Sequence, residues 1–170
     1  MTTVYVAAGS NVDARRNIGR AVAELRAAFP GLRVSPAYQN AAVGFEGDDF
    51  INLVVGFETE RPLDEVIEEL RRIETVCGWP RGAPKWAPRS MDLDILLYGE
   101  RIGKFPGATL PRPDLLRRPY MLGPLADIAP GFVHPTQHRS IGELWAAFDR
   151  SGHEMRVVSL EERPSGAELE

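Results

Sequence analysis

Hydrophobic and polar positions follow two different periods along the chain, and these periods predict its strands and helices. Runs rich in β-branched and aromatic residues predict strands at 3–8, 32–38 and 50–59, and a further strand that ends at Tyr98. Apolar residues at helical spacing predict helices over 14–29 and 62–77. Shorter helices are predicted at 120–129 and 141–148, with a late edge strand at 157–158.

The order of these elements predicts the fold class. Strand, helix, strand, strand, helix, strand is the ferredoxin-like split pattern, in which helices pack on one side of a sheet. We therefore expect an α+β fold: a ferredoxin-like sheet with helices packed on it and extra C-terminal helices that cover more of it. Such a fold hosts unrelated functions, so function has to be inferred from a site.

Length and composition narrow the class of protein. The 170 residues show no repeat or linker, which favours a single domain at 1–160, and the Glu-rich end at 161–170 is expected to be disordered. A net charge of -4 gives no basic excess, so nucleic acid is not an expected partner. The single cysteine excludes a disulfide framework within one chain and a Cys-rich zinc site. Neither a signal-like start nor an apolar run of about 18 residues is present, so we expect a cytoplasmic protein with no membrane partner.

Two aspartates lie on one face of the strand that ends at Tyr98. Side chains alternate along a strand, so Asp92 and Asp94 point one way while Leu93 and its apolar neighbours point into the core. Two carboxylates this close resist joint ionisation unless a cation lies between them, and hard oxygen ligands suit magnesium that carries substrate phosphates. The alternative to a metal site is a half-exposed strand whose polar face happens to be acidic.

The segment before these aspartates has the parts of a nucleotide site. Prolines and a glycine keep it out of regular structure, and it carries the side chains Arg81, Lys85, Trp86 and Arg89. Cations suit phosphates and an indole offers a flat face to a base. Within the apolar run 50–59, Asn52 stands out because a buried amide is costly unless it is hydrogen-bonded. Its amide could bind nearby backbone groups or a ligand, and the residues favour neither interpretation.

Five motifs in sequence order resemble 6-hydroxymethyl-7,8-dihydropterin pyrophosphokinases of folate biosynthesis, over roughly residues 3–135. They are Tyr5–Asn11, Asp49–Asn52, Arg72–Glu74, Trp86–Tyr98 and Tyr120–Pro130. The central pattern, Trp-x-Pro-Arg-x-x-Asp-Leu-Asp, is far more specific than the aspartate pair alone. The resemblance implies transfer of pyrophosphate from ATP to the hydroxymethyl oxygen of a reduced pterin, with release of AMP.

The same resemblance implies roles for individual residues. Asp92 and Asp94 would bind two Mg²⁺ ions and, with Arg89 and Arg118, form the catalytic set. The positions that match nucleotide contacts or their support are Glu74, Arg81, Trp86, Ile95, Thr109 and Arg112. The positions that match the pterin pocket are Asn11, Val43, Gly44, Phe50, Asn52 and Tyr120. The expected partners are the two small substrates, and the expected state is a monomer.

The chain also departs from the family pattern. Arg112 stands where the family usually has histidine, and an arginine binds phosphate but does not change protonation near neutral pH. Trp79 stands at the position of a mobile phosphate-binding arginine, and Asn40-Ala41 replaces the usual Thr-Pro or Ser-Pro. Two alternatives follow: a diverged copy that acts on another pterin or nucleotide, and a non-catalytic ferredoxin-like ligand-binding module.

Overall fold

The computed structural model describes residues 1–40, 49–78 and 91–160. Its strands are β1 (Thr2–Ser10), β2 (Arg33–Val34), β3 (Ala37–Asn40), β4 (Phe50–Thr59), β5 (Asp92–Tyr98), β6 (Gly103–Phe105), β7 (Ala108–Leu110) and β8 (Arg156–Val158). Its helices are α1 (Ala14–Ala28), α2 (Leu63–Gly78), a 3₁₀ turn (Pro113–Leu116), α3 (Pro119–Ile128) and α4 (Ile141–Ala146).

Among the described residues, six strands form one sheet in the order β5-β1-β4-β3-β8, with β2 paired to β4. Each pairing is antiparallel, and β1 lies between β4 and β5. The order of β5, β1, β4 and β3 follows from the split pattern, and the α+β class predicted from the sequence is confirmed.

Both faces of the sheet are covered, which explains why the central strands are apolar almost without interruption. On β1, Val4 and Val6 pack with the residues of α1 and α2, while Tyr5 and Ala7 pack with those of α3 and α4. Residues on alternate faces of a strand are therefore both buried. The C-terminal helices cover the second face, as the sequence predicted.

Two local predictions were wrong. The strand predicted at 32–38 is divided into β2 and β3 at Ser35-Pro36, because proline has no N–H to donate to the sheet. Ser35 compensates: its hydroxyl accepts a hydrogen bond from Val54 N at 2.9 Å. The segment 99–108, where the sequence pattern predicts no strand, contains β6 and the start of β7, which form a short hairpin around Gly107 at φ 85°.

None of the helices in the described ranges is long and apolar enough to span a membrane. The predicted disorder of 161–170 concerns residues outside the described ranges, and the single-domain assignment stays a prediction.

Candidate active site

A cleft of about 350 Å³ opens where β1 ends and β4 and β5 begin. The antiparallel register brings these three points together, because Gly9 lies opposite Asn52 on one side and opposite Asp92 on the other. The start of α3 closes the cleft. Its lining residues are Ala7, Ala8, Gly9, Asn40, Phe50, Asn52, Asp92, Asp94, Arg112, Asp114, Arg118, Tyr120 and Met121.

Asp92 and Asp94 both reach this cleft from β5. The buried residues between and around them, Met91, Leu93 and Ile95, point into the core under α2, as predicted from the alternation. Asp92 is exposed, whereas the Asp94 side chain is 27% exposed. The two carboxylates therefore share one face of the strand but differ in their contact with water.

The backbone between the two aspartates is clamped by α2. Glu74, which is 3% exposed, accepts a hydrogen bond from Leu93 N at 2.8 Å. Arg71 donates to Leu93 O at 3.1 Å and pairs with Glu74 at 2.5 Å. Within the described ranges β5 is the edge strand of the sheet, so the outward N–H and C=O of Leu93 face no strand there, and these two side chains satisfy them.

The charge balance of the cleft centres on Asp94. Burial raises the pKa of its carboxyl, the Arg112 guanidinium lowers that pKa, and the charge of Glu74 raises it again. Arg112 Nη1 lies 3.7 Å from Asp94 Oδ1, and its Nη2 lies 3.3 Å from Asp114 Oδ2. The free carboxylate is thus partly desolvated, and it gains from a nearby cation.

Flat and amide groups line the other side of the cleft. Phe50 and Tyr120 are half-buried there, and burial raises the pKa of the Tyr120 hydroxyl. Asn52 is 7% exposed, and its amide donates to Asn40 Oδ1 at 2.5 Å. The partner of Asn52 is thus another amide side chain that itself lines the cleft, so both amides can present polar atoms to a planar ligand.

The remaining predicted site residues lie elsewhere or outside the described ranges. Ile95 is buried in the core, and half-buried Asn11 follows β1 without lining the cleft. Thr109 is exposed and lines an adjoining groove of about 470 Å³, which it shares with half-buried Arg112 of the cleft. The residues that fall outside the described ranges are Val43, Gly44, Trp79, Arg81, Trp86 and Arg89.

Sequence reasoning missed two residues that shape the cleft. Gly9 enters the sequence interpretation only as part of the motif Tyr5–Asn11, yet a Cβ at this position would lie 2.6 Å from Asn52 Oδ1. Asp114 belongs to none of the motifs, although it pairs with Arg112. The glycine offered a signal, because it stands at the end of an apolar strand; Asp114 offered none.

The donor set of the cleft fits magnesium. Asp92 and Asp94 supply hard carboxylate oxygens from alternate positions of one strand face. Mg²⁺ typically binds through one or two carboxylates together with water and substrate phosphates. The partly desolvated Asp94 carboxylate also has the electrostatic character of a cation ligand.

Known proteins match most of the chain. The family model described as 7,8-dihydro-6-hydroxymethylpterin-pyrophosphokinase (HPPK) matches residues 5–130. The 2-amino-4-hydroxy-6-hydroxymethyldihydropteridine pyrophosphokinase of Aquifex aeolicus is 32% identical over 146 residues, which cover 85% of this chain and 91% of that protein. The protein of the same name from Pseudomonas aeruginosa is 36% identical over 156 residues, which cover 89% and 94% of the two chains.

A solved structure shares the fold. The wild-type HPPK-DHPS of Plasmodium falciparum with SDX-DHP superposes with a TM-score of 0.62 at 13% identity, over 86% of this chain and 43% of that chain. This chain therefore spans less than half of that longer protein. At such low identity the likeness concerns the fold alone.

Proposed function

Because this chain belongs to the 7,8-dihydro-6-hydroxymethylpterin-pyrophosphokinase family, we propose that its cleft is where it transfers pyrophosphate from ATP to the hydroxymethyl group of 6-hydroxymethyl-7,8-dihydropterin. The products are AMP and the pterin diphosphate, a step of folate biosynthesis. One observation carries the assignment to this cleft: paired carboxylates, two cations, two amides and two aromatic rings line it together.

The reaction asks the protein to position charges rather than to form a covalent intermediate. The hydroxymethyl oxygen attacks the β-phosphorus of ATP, and the bond from that phosphorus to the bridging α–β oxygen breaks. AMP leaves with that oxygen, and the hydroxyl proton is released to solvent. Both substrates have to be held in line, and the charge on the transferred group has to be stabilised. Arg118 at the start of α3 and Arg112 face the cleft and supply positive charge there.

Asp92 and Asp94 are the proposed ligands of two Mg²⁺ ions. When bound, such ions neutralise phosphate charge and so favour attack by a neutral hydroxyl. The clamp formed by Arg71 and Glu74 holds the strand between these aspartates, so Glu74 supports the site from the core rather than from the cleft.

We assign the two halves of the cleft by their chemistry. Phe50 and Tyr120 offer ring faces to the flat pterin, and Asn52 offers an amide to its polar edge. Arg112 and Thr109 face the adjoining groove, which suits the nucleotide. Through the family resemblance alone, we assign Arg81, Trp86, Arg89 and Ile95 to the nucleotide side, and Asn11, Val43 and Gly44 to the pterin pocket.

The reaction is tested by incubating the protein with ATP, Mg²⁺ and the hydroxymethyl pterin. AMP and the pterin diphosphate are expected. Formation of ADP would contradict pyrophosphate transfer, and turnover only with another pterin or nucleotide would favour a diverged copy. A folded protein that binds both ligands without turnover would favour the non-catalytic module.

The metal assignment is tested with Asp94→Asn, which keeps the size of the side chain but removes its charge. Turnover should fall by at least about a hundredfold, because charge stabilisation in the cleft is lost. Circular dichroism should show an unchanged fold. Asp64→Asn, at an exposed position of α2, is the matched control and should retain activity; activity of the Asp94 variant close to that of the control would reject the assignment.

A monomer in the cytoplasm is the proposed working state. One chain supplies all the residues of the cleft assigned above, and both substrates are small and polar. Light scattering coupled to size exclusion tests this: a dimer mass at working concentration would contradict it.

A further inference from the structure

Arg112 lies between two carboxylates in the cleft, with Asp94 on one side and Asp114 on the other. We propose that Arg112 is a built-in counter-ion that occupies Asp94 in the substrate-free protein, that Asp114 holds it there, and that it must leave Asp94 when the metal-bound nucleotide enters. This inference rests on the proposed function, since it takes Asp94 as a metal ligand.

A bulge in β5 fixes the position of Arg112. Val6 lies opposite Ile95 and Tyr5 lies opposite Leu97, so Leu96 has no partner residue on β1. An extra residue of this kind is left outside the ladder. The Leu96 carbonyl instead accepts a hydrogen bond from Arg112 N at 2.9 Å. The backbone of Arg112 is thereby tied to the same strand as Asp94, two residues along it.

The ion pairs are partly shielded from water. The side chains of Arg112, Asp94 and Asp114 are 33%, 27% and 36% exposed. Charges at this depth interact more strongly than a fully exposed pair, but the separations of 3.7 Å and 3.3 Å leave room for exchange of partners. The Asp94 carboxylate thus already has the Arg112 guanidinium as a partner in the absence of a divalent ion.

The guanidinium has a donor that a new partner can use only after the side chain moves. Arg112 Nε is buried, and it has no hydrogen-bond partner within the described residues. A guanidinium binds phosphate oxygens through two parallel N–H groups, and it keeps its charge at all working pH values. Arg112 can therefore exchange the carboxylate of Asp94 for a phosphate without any change of protonation.

The proposal predicts opposite effects on two ligands. Arg112 competes with a divalent cation for Asp94, so it weakens binding of the metal alone. It attracts phosphate, so it strengthens binding of the metal-nucleotide complex. A residue that served only to bind nucleotide would show the second effect without the first.

The test is a titration of the full-length protein with Mn²⁺ in the absence of nucleotide, up to millimolar Mn²⁺. Electron paramagnetic resonance measures the free Mn²⁺ at each step. Arg112→Gln should bind Mn²⁺ about three- to tenfold more tightly than the wild type, the effect of one partly exposed ion pair. The same variant should bind a non-hydrolysable ATP analogue with Mg²⁺ more weakly in calorimetry. Arg139→Gln, which removes the same charge from an exposed pair with Glu143, should change neither affinity.

Asp114 is tested as the positioning residue by a double-mutant cycle. Asp114→Asn should strengthen Mn²⁺ binding in the wild-type background, because Arg112 is then no longer held beside Asp94. It should not strengthen binding in the Arg112→Gln background, which has no guanidinium to release. A weaker affinity in both backgrounds would mean that Asp114 acts directly on the metal, and this would overturn its holding role.

The outcomes separate this inference from the proposed function. Mn²⁺ binding that is lost in Asp94→Asn but equal in the wild type and Arg112→Gln overturns the counter-ion and leaves the metal site intact. Mn²⁺ binding that Asp94→Asn does not change overturns the metal assignment. A protein that binds no Mn²⁺ either as wild type or as Arg112→Gln overturns both.

Discussion

At the scale of single residues, Gly9 sets the position of the Asn52 amide. The two residues face each other across β1 and β4, and a Cβ on Gly9 would lie 2.6 Å from Asn52 Oδ1. No real side chain approaches an oxygen so closely, so any larger residue would push the amide away from its place in the cleft. Glycine is needed here for close approach rather than for a turn.

Gly9→Ala should therefore weaken pterin binding by about tenfold, the loss of roughly one good hydrogen bond, with a much smaller effect on an ATP analogue. Gly19→Ala is the matched control, because a Cβ there meets nothing within 4 Å. In the middle of α1 that control should stabilise the protein by about 0.5–1 kcal/mol. Fluorescence titration of the pterin and thermal unfolding measure the two effects. Equal pterin affinity in both variants would show that Asn52 does not contact the pterin.

At the scale of elements, α2 holds β5, the edge strand that carries Asp92 and Asp94. Arg71 and Glu74, one turn apart on the helix, satisfy both backbone groups of Leu93. Residues spaced three apart lie on one face of a helix, so a single helix can grip a single peptide in this way. These hydrogen bonds connect α2, which packs in the core, to the strand that lines the cleft.

Glu74→Ala should leave Leu93 N buried without an acceptor and lower the free energy of unfolding by about 1–3 kcal/mol. Turnover should fall as well, because the strand between Asp92 and Asp94 loses its support. Glu74→Gln keeps an acceptor oxygen and should cost less in both respects. Urea unfolding and steady-state kinetics are the measurements, with exposed Glu68→Ala on the same helix as control. If the alanine variants at both positions proved equally stable, the clamp would have no energetic role.

Much of this architecture could be predicted from local patterns. Amphipathic spacing located α1 and α2, and alternation placed Asp92 and Asp94 on the opposite face from Leu93, because both signals repeat within one element. The hairpin of β6 and β7 was missed because strands of three residues are too short to show a period. Contacts such as Arg112 with Asp94 depend on how distant segments meet, and no local pattern encodes that.

At the scale of the whole molecule, stability should depend on pH through His134. This side chain is 2% exposed, and its Nδ1 accepts hydrogen bonds from Thr136 N and Gln137 N, each at 3.2 Å. Burial lowers the pKa of His134, and the charge of His138 lowers it further. The folded protein thus keeps this imidazole neutral at pH values where the unfolded chain protonates it.

The unfolded state binds the extra proton first, so the free energy of unfolding should decrease as the pH falls below about 6.5, the ordinary histidine value, toward the lower folded pKa. Above that window the contribution is fully present. His134→Asn retains an acceptor for the two backbone N–H groups but does not titrate, so its stability should vary less between about pH 7 and 5. Denaturant unfolding across this range measures the slope, with exposed His153→Asn as control. Identical slopes for the wild type and the His134 variant would contradict the assignment.

The clamp on Leu93 has a consequence beyond the reaction. The outermost strand of a sheet can pair with a strand of another chain, because its outward amide and carbonyl groups have no hydrogen-bond partners. At Leu93 of β5 those groups are already engaged by side chains of the same molecule. Arg71 and Glu74 thereby also leave neither backbone group of Leu93 available for pairing with a strand of another chain.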